Sequence, residues 1–290
     1  MKYKIIFVVS IIIFCNINIY SQNKVVFNFL PETYNFLPLR ANFEEGRIGL
    51  LYFTDNGNLK VDLGGTTDIF EFNIPESQIK ISVGLEFMAY ALATSFKERR
   101  LQIDATDGFF GGHISYSKKI KNGRILGRFR IIHNSAHLVD GHYDLSTGMW
   151  IDNFEPIPFT RDFGEFTIAK EKYINKFLVK LYWGLAYSAF IRPDIIKRYS
   201  FAAGFELSSD KIFGKTFNSN TNLFLAYQFG LRGIPSYVGN NYLMLGFKFG
   251  DWFKKGVLMY ISYYSGRNMF SEYFLRTIKK FGLGFYVDIF

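Results

Sequence analysis

Alternation of apolar and polar residues along many short segments constrains this chain more than any other feature. From Phe177 to Tyr187, every odd position is apolar or aromatic, whereas the even positions include Lys180 and Gly184. The same pattern recurs in the segments 199–208, 223–231 and 242–249. A period of two residues is typical of a β-strand, whose successive side chains point to opposite faces. The chain therefore belongs to the all-β class.

Three features favour a membrane barrel over a soluble sandwich. The apolar face carries large aromatic residues, often at the segment ends, as in the interfacial girdles of outer-membrane barrels. The opposite face is rich in Gly, Ser, Lys, Arg and Glu, which is too small and polar for a dry core. The chain also closes with an alternating segment from Phe281 to Phe290. This ending resembles the C-terminal signal by which bacterial barrels engage the barrel assembly machinery.

The alternation predicts a transmembrane antiparallel up-and-down β-barrel of about twelve strands. The expected spans are 43–54, 59–72, 79–93, 103–119, 124–137, 164–171, 176–190, 198–208, 220–231, 240–249, 257–265 and 277–290. An even number places both chain ends on the periplasmic side. The longest connection, 138–163, follows strand five, so that strand is expected to end at the cell surface.

The N-terminus predicts export of the protein. Lys2 and Lys4 precede an apolar run too short to cross a bilayer, which is typical of a secretory signal. We expect residues 1–21 to be the signal, residues 22–42 a periplasmic segment, and residues 43–290 the barrel. The alternative is a lipid anchor at Cys15, the one cysteine, which by itself excludes a disulfide framework.

The net charge and the sequence motifs limit the kinds of partner that the protein can bind. The net charge is +9, which suits anionic outer-membrane lipid or lipopolysaccharide. An exported barrel rarely meets nucleic acid, so no nucleic-acid partner is expected. No Gly-rich phosphate loop joins a strand to a helix, so a nucleotide enzyme is unsupported. The sequence leaves any cofactor open.

Three of the four histidines fall within ten residues, in His133-Asn-Ser-Ala-His-Leu-Val-Asp-Gly-His142. On strand five, the arginines at 124, 128 and 130 must face the lumen, because a cation on the lipid face costs about 2–4 kcal/mol at the bilayer midplane. By parity, His133 and Ser135 continue the lipid-facing row at its outer end. A slip of one residue in the register would turn them into the lumen.

A histidine two residues from a serine on one strand face can accept the hydroxyl proton and activate a nucleophile. We therefore interpret Ser135 as a candidate nucleophile, His133 as its base and His137 as part of the same cluster. A third group should orient the imidazole. The candidate orienting residues are Asp140, which we favour, and Asp144, Asp152, Asn153 and Glu171. The target would be a lipid ester.

Two other interpretations of the cluster stay open. It could be a polar rim at the headgroup level that hydrogen-bonds loop backbone or lipopolysaccharide. It could also bind a metal through His133, His137, Asp140 and His142, although positions 133 and 137 of one strand lie about 13 Å apart, too far for one ion. We therefore predict no metal site.

His-x-Ser at the outer end of a lipid-facing strand resembles the arrangement in the outer-membrane phospholipase A family, a twelve-stranded barrel, and in lipid A deacylases. The likeness is local, because Ala136 follows the serine where those families have Asn. In the phospholipase family the orienting residue comes about twelve positions after the serine, where this chain has Thr147.

A closer resemblance covers most of the chain. It is similar to an uncharacterised family of Gram-negative barrels whose pattern is His-x-Ser-Ser-His-x-x-Asp on an arginine-rich strand. The matching residues are His133, Ser135, His137 and Asp140, with Ala136 at the second serine. The resemblance implies the fold and the location but no activity.

Arg124, Arg128 and Arg130 form a basic ladder on the lumen face. It could line an anion-selective constriction or pair with lumen carboxylates such as Glu206. We favour the filled lumen, because a barrel of this size can be packed by its own side chains. The two functional hypotheses are a surface-leaflet acyl hydrolase and a non-catalytic barrel, either a narrow channel or a binding and structural protein.

Overall fold

A computed structural model describes residues 24–96, 100–138, 143–144, 146–150, 155–216 and 218–289, and at 96, 100, 137 and 138 the backbone alone. The expected signal 1–21, with Cys15, lies outside these residues. Within them, no helix is long and apolar enough to cross a membrane.

Twelve strands form a closed antiparallel β-barrel, which confirms the fold expected from the alternation. They are β1 Ile48–Phe53, β2 Leu59–Ile74, β3 Ile79–Phe96, β4 Arg100–Ile120, β5 Gly123–Leu138, β6 Phe159–Ile174, β7 Phe177–Arg192, β8 Tyr199–Ser209, β9 Ser219–Gly233, β10 Tyr237–Phe249, β11 Gly256–Arg267 and β12 Thr277–Asp288. Each strand pairs with the next along the chain, and β12 closes the barrel on β1 through Gly282 to Val287. Closure removes the unpaired edges that an open sheet would expose.

The two ends of the barrel differ in their connections. The end that carries residues 139–158, between β5 and β6, is here called the loop end. The opposite end, called the turn end, has tight hairpins such as Lys121–Asn122 between β4 and β5. Asn122 adopts a φ of 61° there, a left-handed conformation that asparagine tolerates better than most residues.

Burial follows the alternation of the sequence. On β7, Lys180 and Tyr182 are buried toward the lumen, whereas Leu181 and Trp183 point outward and are 58% and 45% exposed. The outer surface is therefore an apolar and aromatic belt that suits lipid. The lumen holds an apolar cluster besides its ion pairs; its members include Tyr90, Phe109, Phe224 and Tyr260.

The segment expected in the periplasm enters the barrel instead. A short strand, Val26–Phe29, pairs with Phe70–Asn73 on β2. The chain then turns inward, and most side chains of residues 35–47, here called the plug, are buried. The expectation of a periplasmic segment at 22–42 is therefore wrong for its buried part, and the barrel wall begins at Ile48.

Hydrogen bonds to strands all round the barrel show that the plug lies in the lumen. The backbone of Asn35 donates to Asp68 on β2 at 2.8 Å, and that of Arg40 donates to Glu206 on β8 at 2.6 Å. The Arg40 guanidinium also binds both carboxylate oxygens of Asp288 on β12. Only a segment inside a closed barrel can reach three such separate strands.

Candidate functional site

The candidate site lies on the outer face of β5 near the loop end. Ile131 points outward and is 62% exposed, and the His133 side chain that follows it on this face is 33% exposed. The intervening Ile132 and Asn134 are buried toward the lumen. Ser135 comes next on the outer face and is partly exposed. The strand thus presents His133 and Ser135 to the lipid side, without a slip in register.

The partner of His133 is Asp162 on β6. The two residues are directly opposite each other in the β5–β6 register, and Nδ1 of His133 lies 2.5 Å from Oδ1 of Asp162. The Asp162 side chain is 41% exposed. Because the carboxylate engages Nδ1, it fixes the tautomer in which Nδ1 carries the hydrogen. Nε2 is then left as the proton-accepting nitrogen.

Strand pairing places the site in two neighbouring rows on the outer face. The histidine row consists of Phe110, His133, Asp162 and Phe190, one residue from each of β4 to β7. The serine row lies nearer the loop end and consists of Gly108, Ser135, Thr160 and Arg192. The Phe110 ring lies against the imidazole, with 4.8 Å between ring centroids. The imidazole is therefore packed on one side and hydrogen-bonded on the other.

The space beside Ser135 is open. Gly108, which pairs with Ser135 on β4, has no side chain, and a Cβ atom there would lie 3.9 Å from the Ser135 hydroxyl. Ser135 follows His133 by two positions, about 6.6 Å along the strand. Among the described residues the hydroxyl makes no hydrogen bond; in enzymes without substrate such contacts are often long and tighten on binding.

The carboxylate that contacts His133 is not among the candidate orienting residues named from the sequence. Asp140, the favoured candidate, lies outside the described residues together with Asp152, Asn153 and His142. His137 lies on β5, where the structure describes its backbone alone. Asp144 lies in a small hairpin and accepts hydrogen bonds from Ser146. Glu171 is buried in the lumen with Arg124. Among the described carboxylates, Asp162 is the one that contacts His133.

The basic ladder lies on the lumen face, and each arginine has a carboxylate partner. Arg124 contacts Glu171 at 2.6 Å. Arg128 donates to Glu45 of the plug at 2.8 Å. Arg130 contacts Glu165 at 2.9 Å. The expected partner Glu206 instead contacts Lys180 at 3.4 Å. These pairs neutralise the arginines, while a cavity of about 760 Å³ lined by Arg124 and Glu171 remains at the turn end.

Within the described residues, no group of three or more His, Cys, Asp or Glu side chains is arranged to hold an ion. Asp140 and His142 of the histidine cluster lie outside them.

Comparison with known proteins adds evidence on the fold. Neither a protein-family model nor a curated protein matches this sequence. Outer membrane phospholipase A from Escherichia coli has a similar structure, with a TM-score of 0.51, 13% identity, and 88% of this chain and 95% of that chain covered. An active-site asparagine-to-alanine variant of that enzyme gives the same values. The chain has the fold of outer-membrane β-barrel proteins.

A second kind of barrel is also similar. The toluene transporter TodX from Pseudomonas putida has a TM-score of 0.41 and 12% identity, with 91% of this chain and 76% of that chain covered. At such identities the likeness concerns the fold alone, and function must be argued from the site.

Proposed function

We propose that the protein is an outer-membrane acyl ester hydrolase that acts on lipid in the outer leaflet. The observation that carries the proposal is the hydrogen bond between Asp162 and Nδ1 of His133, on the lipid-facing side of the barrel and one row from Ser135. Serine, histidine and an orienting carboxylate are the three parts of an activated serine nucleophile.

In the proposed reaction, Nε2 of His133 takes the proton from the Ser135 hydroxyl while the Ser135 oxygen attacks the carbonyl carbon of an acyl ester. The bond from that carbon to the alcohol oxygen then breaks, and His133 returns the proton to the departing alcohol. Water next attacks the acyl-serine and gives a proton to His133. The acyl–serine bond breaks, the fatty acid leaves, and the proton returns to Ser135. Asp162 takes no proton in these steps and holds the imidazole in place, as a positioning residue.

The surroundings of the site support a lipid substrate. Phe110 is 57% exposed and Phe190 is 70% exposed, and they stand at the two ends of the histidine row. In a membrane these rings would contact acyl chains, so the ester of a neighbouring lipid would approach the site from within the leaflet. The loop-end position agrees with the outer leaflet, where longer connections face the cell exterior.

Replacement of Ser135 by alanine tests the proposal. We expect the wild-type protein to release fatty acid from vesicles or mixed micelles and to react with a fluorophosphonate at Ser135. We expect Ser135→Ala to lose both activities, because the attacking oxygen is gone. Mobility of the unboiled protein on gels reports whether the barrel has folded. Fatty-acid release by a folded Ser135→Ala variant at the wild-type rate would refute the proposal.

The alternative is a non-catalytic barrel, and its channel form is disfavoured by the plug. The plug and the paired arginines occupy the lumen behind the site. We therefore expect the purified protein to be silent in planar bilayers under conditions where an open porin conducts. Steady conductance that Arg128→Ala alters would instead support a channel.

A further inference from the structure

We propose that Arg192 binds a phosphoryl group of the lipid whose acyl ester is cleaved at Ser135. The inference rests on the proposed hydrolase function and makes acylated lipids that carry phosphate its preferred substrates. Arg192 would therefore determine specificity, whereas Ser135 and His133 perform the chemistry.

Strand register places the guanidinium on the correct surface. Thr160 on β6 pairs with Ser135 on one side and with Arg192 on the other. Paired residues of neighbouring strands share a face, so Arg192 points outward with the serine. Two interstrand spacings separate their Cα atoms, about 9.6 Å. A long arginine side chain can cross much of that distance.

The charge of Arg192 is available to a ligand. The residue is exposed, and among the described residues it has no carboxylate partner. Other arginines near the loop end are engaged. Arg198 donates to the backbone carbonyls of Ser188 and Ala189, and Arg161 and Arg232 both bind Glu44. Within the described part of the chain, Arg192 therefore differs from these arginines in that its guanidinium has no protein partner.

Phosphate chemistry fits this placement. A guanidinium recognises phosphoryl oxygens through paired charge-assisted hydrogen bonds. In a glycerophospholipid, the glycerol carbons hold the phosphate within a few bonds of the acyl esters. An acylated and phosphorylated disaccharide, as in lipid A, offers the same pair of groups. One lipid molecule could then bind along the serine row, with its ester at Ser135 and its phosphate at Arg192.

The test compares three substrates in mixed micelles: dioleoyl phosphatidylglycerol, lipid A and neutral dioleoylglycerol. We expect Arg192→Gln to lower kcat/KM by about tenfold on phosphate-bearing substrate, mainly through KM, because one charge-assisted contact is lost. Hydrolysis of dioleoylglycerol should not change. The matched control is Lys118→Gln, which removes an exposed cation at the turn end and should leave all rates unchanged.

The outcomes separate the two proposals. A drop on phosphatidylglycerol alone, or on lipid A alone, supports the role of Arg192 and identifies the source of the phosphate. Equal rates for wild type and Arg192→Gln on every substrate overturn that role and leave the hydrolase intact. Failure of the wild type to hydrolyse any of the three overturns the hydrolase, and the specificity with it.

Discussion

Asp162→Ala should lower the kcat of ester hydrolysis by up to about 10⁴-fold, the cost of disabling the orienting carboxylate in a Ser-His-Asp triad. Without the carboxylate, the imidazole loses the partner that fixes its tautomer and stabilises its positive charge in the transition state. KM should change little, because Asp162 does not contact the substrate. The Asp162→Asn variant can still accept a hydrogen bond from Nδ1 but lacks the charge, so its kcat should lie between those of wild type and Asp162→Ala.

Asp55→Ala is the matched control for this prediction. Asp55 is also near the loop end, is 46% exposed and contacts a cation, Lys280, but it lies far from His133 along the barrel wall. Its loss should leave kcat and KM unchanged. If Asp162→Ala turned over ester at the wild-type rate while Ser135→Ala was inactive, Asp162 would not be the positioning residue. Asp140 would then be the next residue to replace.

The barrel could be predicted from the sequence because its outer face repeats one local rule. Every strand must present apolar residues to lipid on alternate positions, and this signal fixes strand existence and approximate ends. Strand five was expected at 124–137 and runs from Gly123 to Leu138. The plug obeys no such rule. Its contacts join residues that are remote in sequence, such as Arg40 and Asp288. No periodic pattern in the sequence predicts such contacts.

Asp162 was missed for a related reason. Strand six was expected to begin at 164, whereas β6 begins at Phe159. Within residues 159–163, Thr160 and Asp162 point outward and Arg161 points inward. Both faces therefore carry polar residues, and the alternation of apolar and polar positions is lost. At the headgroup level the outer face of a strand can be polar, so a polar site can form there. For the same reason, the alternating pattern that would predict this part of the strand is missing from the sequence.

Glu44→Ala should lower the free energy of unfolding by about 3–5 kcal/mol, the usual cost of breaking a buried ion pair. Glu44 of the plug lies between Arg161 on β6 and Arg232 on β9. It binds Arg161, and its contact with Arg232 is 2.7 Å long. Without the carboxylate, two arginines remain in the lumen with no neutralising partner. Urea unfolding of the refolded barrel, followed by tryptophan fluorescence, measures the change.

Two further variants show whether charge is the cause. Asp251→Ala removes an exposed pairing with Lys254 at 3.9 Å and an exposed hydrogen bond donated by Asn220, and should cost at most about 1 kcal/mol, as surface pairs do. Replacing Glu44, Arg161 and Arg232 together by leucine and methionines should recover most of the stability, because no unpaired charge is left. If the triple variant were as unstable as Glu44→Ala, the loss would come from packing of the plug. Because Arg161 adjoins Asp162 on β6, ester hydrolysis by the triple variant also reports whether the plug supports the site from behind.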